Sequence, residues 1–307
     1  MTLITTRTEE GLPFIPALYM RIILEGIMAR AQILYPVQLC HYLWMGNHLH
    51  FIIYVEDPEI VEAFMARVKT ESAHAINRLL GRRRRTIWVG DYDSATILTL
   101  DDAIEKIRYL YANPAEAHCA DSIEGYKRPS SWKAFISGEL NVAAPWIQRP
   151  AISPELVTDP DAARVLIEGA STSHELILVP NAWMKAFNIT DPDEKKRINA
   201  SVVKQVLESE ESLRILRTGP LFDDNPEQRI DQPYTPKKFG RRMWCICWEI
   251  VLRVAFINMV KAMLREGKEV RKAWKSGNFF VPYPPGLAPP RYPRIANIFS
   301  ITPLTLA

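Results

Sequence analysis

Two apolar, β-rich runs separated by one tight turn constrain the fold of this chain more than any other feature. The runs are PVQLCHYLWM at 36–45 and HLHFIIYV at 48–55. Gly46-Asn47, which lies between them, tolerates the backbone of a tight turn. Apolar residues at helical spacing precede the first run, from about Pro16 to Leu34. The sequence therefore predicts a β-hairpin packed against a helix.

The flanking segments extend this pattern into a small domain. MTLITTRT at 1–8 is typical of a strand, and Asp57-Pro58 is typical of a helix start. That helix is expected to run to about Leu80 and to end at Gly81. Thr99 or Asp101 caps another helix, which contains YLYANP. The order β-α-β-β-α-loop-α predicts an α+β domain of about 140 residues, a small sheet covered by helices.

The amino-acid composition of the chain changes after this domain. The sequence divides into a first, α+β domain at 1–145, a linker and mostly helical region at 146–235, and a basic amphipathic helix with a Pro-rich tail at 236–307. The Pro-rich stretch NVAAPWIQRPAISPELVTDPDAA is interpreted as the linker. Residues 242–275 are predicted to form one long helix.

Charge and cysteine content narrow the cellular setting. Residues 1–145 carry 15 Lys/Arg and 17 Asp/Glu, whereas residues 236–276 carry 11 and 3, which would suit a polyanionic partner. The spacing of the four cysteines suggests no disulfide framework, and no signal peptide or membrane span is visible, so we expect a cytoplasmic protein. Cys245 and Cys247 fall in a helical pattern, where their side chains would diverge, so we interpret them as core or helix-surface thiols.

The second β-run carries a His-x-His pair. Side chains alternate along a strand, so His48 and His50 share a face and their rings can converge on one divalent ion. From the pair alone, two histidines on a half-exposed face remain the alternative, because short motifs have many false matches.

A tyrosine and an asparagine on the following helix could complete a site. Tyr109 and Asn113 are four residues apart and share a helix face, whereas Tyr111 points elsewhere. A tyrosine can attack phosphorus as a nucleophile, and an amide oxygen can join two imidazoles around a metal. Packing of Tyr109 on the buried helix face is the alternative.

A run of arginines, Arg82, Arg83, Arg84 and Arg85, follows the second predicted helix. Such a run is either a solvated loop or a set of contacts to nucleic-acid phosphates with salt-dependent affinity. The sequence leaves both interpretations open.

The ordered set MGNHLHFII, IWVGDYDS, IRYLYANP and GYKRPSSW resembles the single-tyrosine HUH transposases, in particular the REP-associated (RAYT-like) group. The resemblance covers about residues 1–140. It implies a ferredoxin-like antiparallel sheet with helices on one face, followed here by a mostly α-helical extension. It departs from the family at Ala115-Glu116-Ala117, where many relatives have a Val-Arg-Ala-Gly-like stretch, which puts a DNA contact there in doubt.

The resemblance also implies a function. Tyr109 would be the catalytic nucleophile, and His48, His50 and Asn113 would hold Mg²⁺ or Mn²⁺. The implied activity is cleavage and rejoining of single-stranded DNA near hairpins through a 5′-phosphotyrosine intermediate, as in DNA transposition, by a bacterial, nucleoid-associated cytoplasmic protein. A homodimer is possible. The alternative is a non-cleaving DNA- or RNA-binding protein with a ferredoxin-like sheet.

Overall fold

The computed structural model describes residues 1–9, 14, 17–83, 85–222 and 243–287, in two compact units, Met1–Ile257 and Asn258–Ala307. The strands are β1 Thr2–Arg7, β2 Gln38–Trp44, β3 His48–Tyr54, β4 Asp93–Ile97, β5 Asn141–Trp146, β6 Thr172–Ile177 and β7 Cys245–Ile246. The α-helices are α1 Leu18–Leu34, α2 Pro58–Leu79, α3 Leu100–Glu116, α4 Trp132–Ser137, α5 Ala162–Glu168, α6 Pro192–Leu216 and α7 Ile250–Lys275. Short 3₁₀-helices occupy Arg149–Ala151, Pro154–Val157 and Ala182–Phe187.

The main sheet has five strands in the order β2-β3-β1-β4-β7. The first four pair antiparallel, and β7 adds to the edge of β4 in parallel. The element order β1-α1-β2-β3-α2-β4 with this arrangement of the four antiparallel strands is the ferredoxin-like pattern. The α+β class is therefore confirmed.

Helices cover both faces of this sheet. One buried cluster joins Ile4, Leu49 and Phe51 of the sheet to α1 and α2. A second cluster joins Leu43 and Ile52 to α3 and α6 on the opposite face. The ferredoxin-like helices α1 and α2 thus share one face, as expected, and α3 brings its own residues to the other face.

Local sequence signals account for several element boundaries. The hairpin turn between β2 and β3 lies at the predicted Gly46-Asn47, closed by a 2.7 Å bond from the amide of Met45 to the carbonyl of His48. Asp57 caps α2 by accepting a hydrogen bond from the amide of Glu59. Thr99 caps α3 in the same way.

The segment that we interpreted as a linker is partly a strand. β5 pairs antiparallel with β6, and this two-stranded sheet packs on α1. Gly26 permits the contact, because a Cβ atom there would lie 2.3 Å from the carbonyl oxygen of Pro145. The linker prediction was wrong here because the partner of β5 lies about 30 residues further along the chain, where local composition does not show it.

The helix predicted at 242–275 begins only at Ile250. Cys245 lies in β7 and pairs with Thr96 of β4, so the helical interpretation of Cys245 and Cys247 was wrong. The hydrogen bonds offered by the edge of β4 account for the strand. Both thiols are buried, as are Cys40 and Cys119, and none of the four forms a disulfide.

In the second unit, a Pro-rich segment folds back along α7. The indole of Trp274 donates to the carbonyl of Val281 at 2.8 Å, and its ring lies 5.4 Å from that of Tyr283. Gly267 leaves room for this segment, since a Cβ atom there would meet the Leu287 side chain at 2.8 Å.

Parts of the predictions lie outside the described residues. These parts are Arg84, residues 223–242 with the start of the basic region, and the Pro-rich tail from residue 288 onwards. Of the helices that are described, none is both long enough and apolar enough to cross a membrane.

Candidate functional site

The two histidines of β3 face α3. Leu49, Phe51 and Ile53 point to the α1–α2 side, so alternation places His48 and His50 on the opposite side together with Ile52. Their rings meet edge to face with centroids 4.8 Å apart. His50 is 6% exposed, and His48, at the start of the strand, is half-buried. The structure therefore places the two rings side by side, and their convergence on one ion stays a prediction.

Each ring makes a side-chain hydrogen bond through Nδ1. His50 Nδ1 lies 2.9 Å from the hydroxyl of Thr5, and His48 Nδ1 lies 2.8 Å from Oδ1 of Asn47. His50 Nε2 is buried and has no hydrogen-bond partner among the described residues. Burial lowers the pKa of His50 to about 3, with smaller contributions from the charges of His48 and Arg7. His50 is therefore neutral at physiological pH, the form in which imidazole binds metals.

Tyr109 of α3 lies against this pair. Its ring centroid is 6.3 Å from that of His50, in an edge-to-face arrangement. The side chain of Asn113, one turn further along and 6% exposed, hydrogen-bonds to Tyr109. The structure thus brings together His48, His50, Tyr109 and Asn113, the four residues that the sequence singled out.

Charges around Tyr109 act in opposite directions. Burial raises the pKa of its phenol, the carboxylate of Glu116 raises it further, and the hydrogen bond to Asn113 lowers it. The ammonium of Lys106 lies 5.1 Å from the centre of the ring. A phenolate at Tyr109 therefore needs additional positive charge, such as an ion bound beside it would supply.

Tyr111 belongs to the core on another side of α3. It is fully buried, and its hydroxyl lies 2.8 Å from both Nδ1 of His41 and Oγ of Ser131. Its ring stacks on Phe135. Burial raises the pKa of its phenol far above the ordinary value. The two tyrosines thus have separate environments, as helix geometry predicted.

Sequence reasoning missed the contribution of β1. Thr5 is directly opposite His50, and Arg7 is directly opposite His48, so both lie on the histidine face. Arg7 is exposed and adds positive charge beside the pair. The alternation in TLITTR already places Thr5 and Arg7 on one face, but only the strand pairing shows which residues they accompany.

Arg82 and Arg83 of the arginine run lie on the other side of the sheet from the histidines. Arg82 and Arg83 follow the C-terminal end of α2, which packs on the α1 face and contacts the 3₁₀-helix Pro154–Val157. Arg82 is partly buried, with Nε and one terminal nitrogen lacking partners within the described residues, whereas Arg83 and Arg85 are exposed. The structure does not bring Arg82 or Arg83 to the four-residue site.

No family model matches the sequence, and no curated protein matches it. Among solved structures, the chain is similar to a REP-associated tyrosine transposase bound to a REP hairpin, with a TM-score of 0.39 and 14% identity. The match covers 45% of this chain and 80% of that one. At this TM-score the similarity carries no inference about function.

The donor set fits a divalent ion. Nowhere in the described ranges do three or more His, Cys, Asp or Glu side chains form a group that could hold a metal. At the histidine pair the third group is instead an amide, Asn113. The buried, unpartnered Nε2 of His50 is the observation that fits a ligand, because an orphaned buried nitrogen is costly. Imidazole suits Mn²⁺ better than Mg²⁺, which prefers oxygen ligands.

Proposed function

We propose that this chain is a metal-dependent DNA strand transferase, or endonuclease, that acts on single-stranded DNA near hairpins, with Tyr109 as the catalytic nucleophile. The observation that carries the proposal is the contact between Tyr109 and His50 at a ring distance of 6.3 Å, beside the buried Nε2. A phenol beside two imidazoles and an amide matches the needs of phosphodiester cleavage better than those of core packing.

The proposed reaction is a transesterification. The Tyr109 oxygen forms a bond to phosphorus, and the bond from phosphorus to the 3′ oxygen breaks. The products are a 5′-phosphotyrosine link and a free 3′-OH, and the phenol proton ends on the leaving oxygen. Rejoining is the same exchange in reverse, with a 3′-OH as the nucleophile, so no external energy source is needed.

His48, His50 and Asn113 would hold Mn²⁺ or Mg²⁺. The bound ion would supply Lewis-acid neutralisation of the charge that develops on the phosphate. Among this chain's own groups, Arg7 adds a cation on the same face, and Asn113 fixes the phenol through its hydrogen bond. The edge-to-face contact with His50 limits rotation of the Tyr109 ring, so the oxygen is oriented before DNA binds.

The proposal also includes DNA transposition as the biological process, with hairpin DNA as the partner. Exposed Arg83 and Arg85 would bind backbone phosphates of the DNA at a distance from the scissile phosphate.

The test is a covalent-adduct assay. Labelled hairpin oligonucleotides from the sequences that flank the gene are incubated with the protein and Mn²⁺, then separated under denaturing conditions. Wild type should give a slow-migrating protein–DNA band, and Tyr109→Phe should give none, because only the nucleophilic oxygen is lost.

Tyr54→Phe is the matched control, since Tyr54 lies on the same face of β3 and is partly buried. It should retain the band. A band that persists in Tyr109→Phe refutes the role of this tyrosine. Hairpin binding without a band in wild type would favour a non-cleaving nucleic-acid-binding protein.

A further inference from the structure

Each imidazole of the candidate site is held through Nδ1 by a residue that has no assigned role. Thr5 reaches His50 from the neighbouring strand at 2.9 Å, and Asn47 reaches His48 from the preceding turn residue at 2.8 Å. Two different elements therefore make the same kind of contact with the two rings. In both rings the nitrogen that makes this contact is Nδ1.

A neutral imidazole carries one N–H, so a partner on one nitrogen decides the state of the other. The Oδ1 atom of Asn47 only accepts hydrogen bonds. His48 Nδ1 is therefore the donor, which in a neutral ring places the lone pair on Nε2.

The hydroxyl of Thr5 could donate or accept, so the surroundings of His50 decide. If Thr5 donated, His50 would carry its proton on Nε2, which is buried and has no acceptor among the described residues. Orphaned buried N–H groups are rarer than under-satisfied acceptors. If Thr5 accepts, its own proton can turn to solvent, since Thr5 is only partly buried. The second arrangement leaves no orphaned donor.

We propose that Thr5 and Asn47 are positioning residues that hold both imidazoles as Nδ1–H tautomers and so direct both Nε2 lone pairs toward one ligand. That this ligand is a divalent ion rests on the proposed function, whereas the tautomers are a property of the protein alone. Residues that orient a metal-binding histidine typically change metal affinity about 10- to 100-fold when they are removed. Thr5 and Asn47 are expected to act at this level.

The first measurement uses the full chain without metal, labelled with ¹⁵N-histidine. Long-range ¹H–¹⁵N correlation spectra at neutral pH distinguish a protonated ring nitrogen from one with a lone pair. In wild type, His48 and His50 should both show protonated Nδ1 and unprotonated Nε2. An Nε2–H signal for His50 overturns the proposal without use of any variant.

The second measurement compares variants. Thr5→Val keeps the shape and strand preference but removes the hydroxyl, so His50 should become a tautomer mixture and Mn²⁺ should bind about 10- to 100-fold more weakly. Thr5→Ser should restore both properties. Thr2→Val, on the same strand, should change neither. Unchanged tautomers and affinity in Thr5→Val would overturn the role of Thr5.

For Asn47, the affected ring is His48. Asn47→Ala should produce a mixture of His48 tautomers, whereas Asn47→Asp, which keeps an acceptor oxygen, should not. An unchanged His48 spectrum in Asn47→Ala overturns its role. If the tautomers are as stated but wild type forms no adduct with hairpin DNA, the proposed function fails and the positioning roles stand.

Discussion

The hydroxyl of Tyr111 lies 2.8 Å from Nδ1 of His41, on a different side of α3 from Tyr109. This bond and the one to Ser131 leave the Tyr111 hydroxyl fully engaged inside the core. The two tyrosines, which are only two residues apart, should therefore respond in opposite ways to loss of their oxygens.

Tyr111→Phe should lower the free energy of unfolding by about 1–3 kcal/mol, because it removes the side-chain partner of the buried His41 Nδ1. Ser131 Oγ keeps its hydrogen bonds to the backbone of Tyr42. Tyr109→Phe should change it by less than about 0.5 kcal/mol, since the Tyr109 side chain is only partly buried. Urea unfolding measures both. Tyr111→Phe should still form the covalent adduct in conditions where it is folded. A larger loss of stability in Tyr109→Phe would contradict the assignment of the two environments.

His41 should make the protein acid-sensitive. Burial lowers its pKa to about 3 from the ordinary histidine value of 6.5. Between these values the unfolded chain binds a proton that the folded chain does not, so stability falls as pH decreases through this window. His41→Gln removes that difference. Its unfolding free energy should therefore fall less steeply with acidification than that of wild type, by about 1.4 kcal/mol per pH unit.

The measurement is urea unfolding of both proteins at several pH values between 4 and 6.5. Parallel curves for wild type and His41→Gln would show that His41 is protonated in the folded protein. Overall stability of the variant is also expected to fall, but only the difference in slope bears on the protonation state.

Metal binding should depend on the histidine pair. Wild type should bind Mn²⁺ stoichiometrically in the presence of hairpin DNA, as measured by calorimetry or electron paramagnetic resonance. His48→Ala and His50→Ala should each abolish this binding. His74→Ala, in the middle of α2, is the control and should leave binding intact. Equal binding by wild type and a variant that carries both His48→Ala and His50→Ala would remove the basis for a metal at this site.

The exposed arginine after α2 should contribute to salt-dependent affinity. Arg83→Gln should lower the magnitude of the slope of log affinity against log salt by about 0.7 for single-stranded DNA if one phosphate contact is lost. Arg164→Gln serves as the control, because Arg164 on α5 is exposed and already paired with Asp161 and Glu168. Identical slopes for wild type and Arg83→Gln would indicate a solvated loop.

Removal of the basic second unit should also weaken DNA binding. A chain that ends at Ile257 keeps β7, whereas deletion from residue 236 would also remove this strand from the sheet. The shorter chain should bind hairpin DNA less tightly and with a flatter salt dependence.

A full-length variant with Lys268, Lys272 and Lys275 changed to Gln tests the charges without truncation, and its salt slope should fall in the same direction. Circular dichroism checks that each variant is folded. No change of slope in either variant would leave the charges of α7 without a role in DNA binding.

Local signals predicted much of the site from the sequence. The turn at Gly46-Asn47 and the caps at Asp57 and Thr99 set the elements, and strand and helix periods placed His48 with His50 and Tyr109 with Asn113. These relations span only a few residues, so a sequence pattern contains them.

The relations that the sequence did not reveal are pairings between distant segments. β5 pairs with β6, and β7 pairs with β4. The residue opposite His50 is Thr5 on another strand. Short strands have weak local signals, and their neighbours determine whether they form. Cys245 therefore lies in a helical pattern of the sequence but in a strand of the structure.

The parallel pairing of β7 with β4 has a consequence for synthesis. Thr96 and Cys245 are about 150 residues apart in the chain. The four antiparallel strands of the main sheet therefore leave the ribosome long before β7 does. During that interval the outer edge of β4 offers unpaired backbone groups, which favour association with other chains. Nascent chains stalled before residue 245 should consequently recruit chaperones more strongly than those stalled after the strand has emerged.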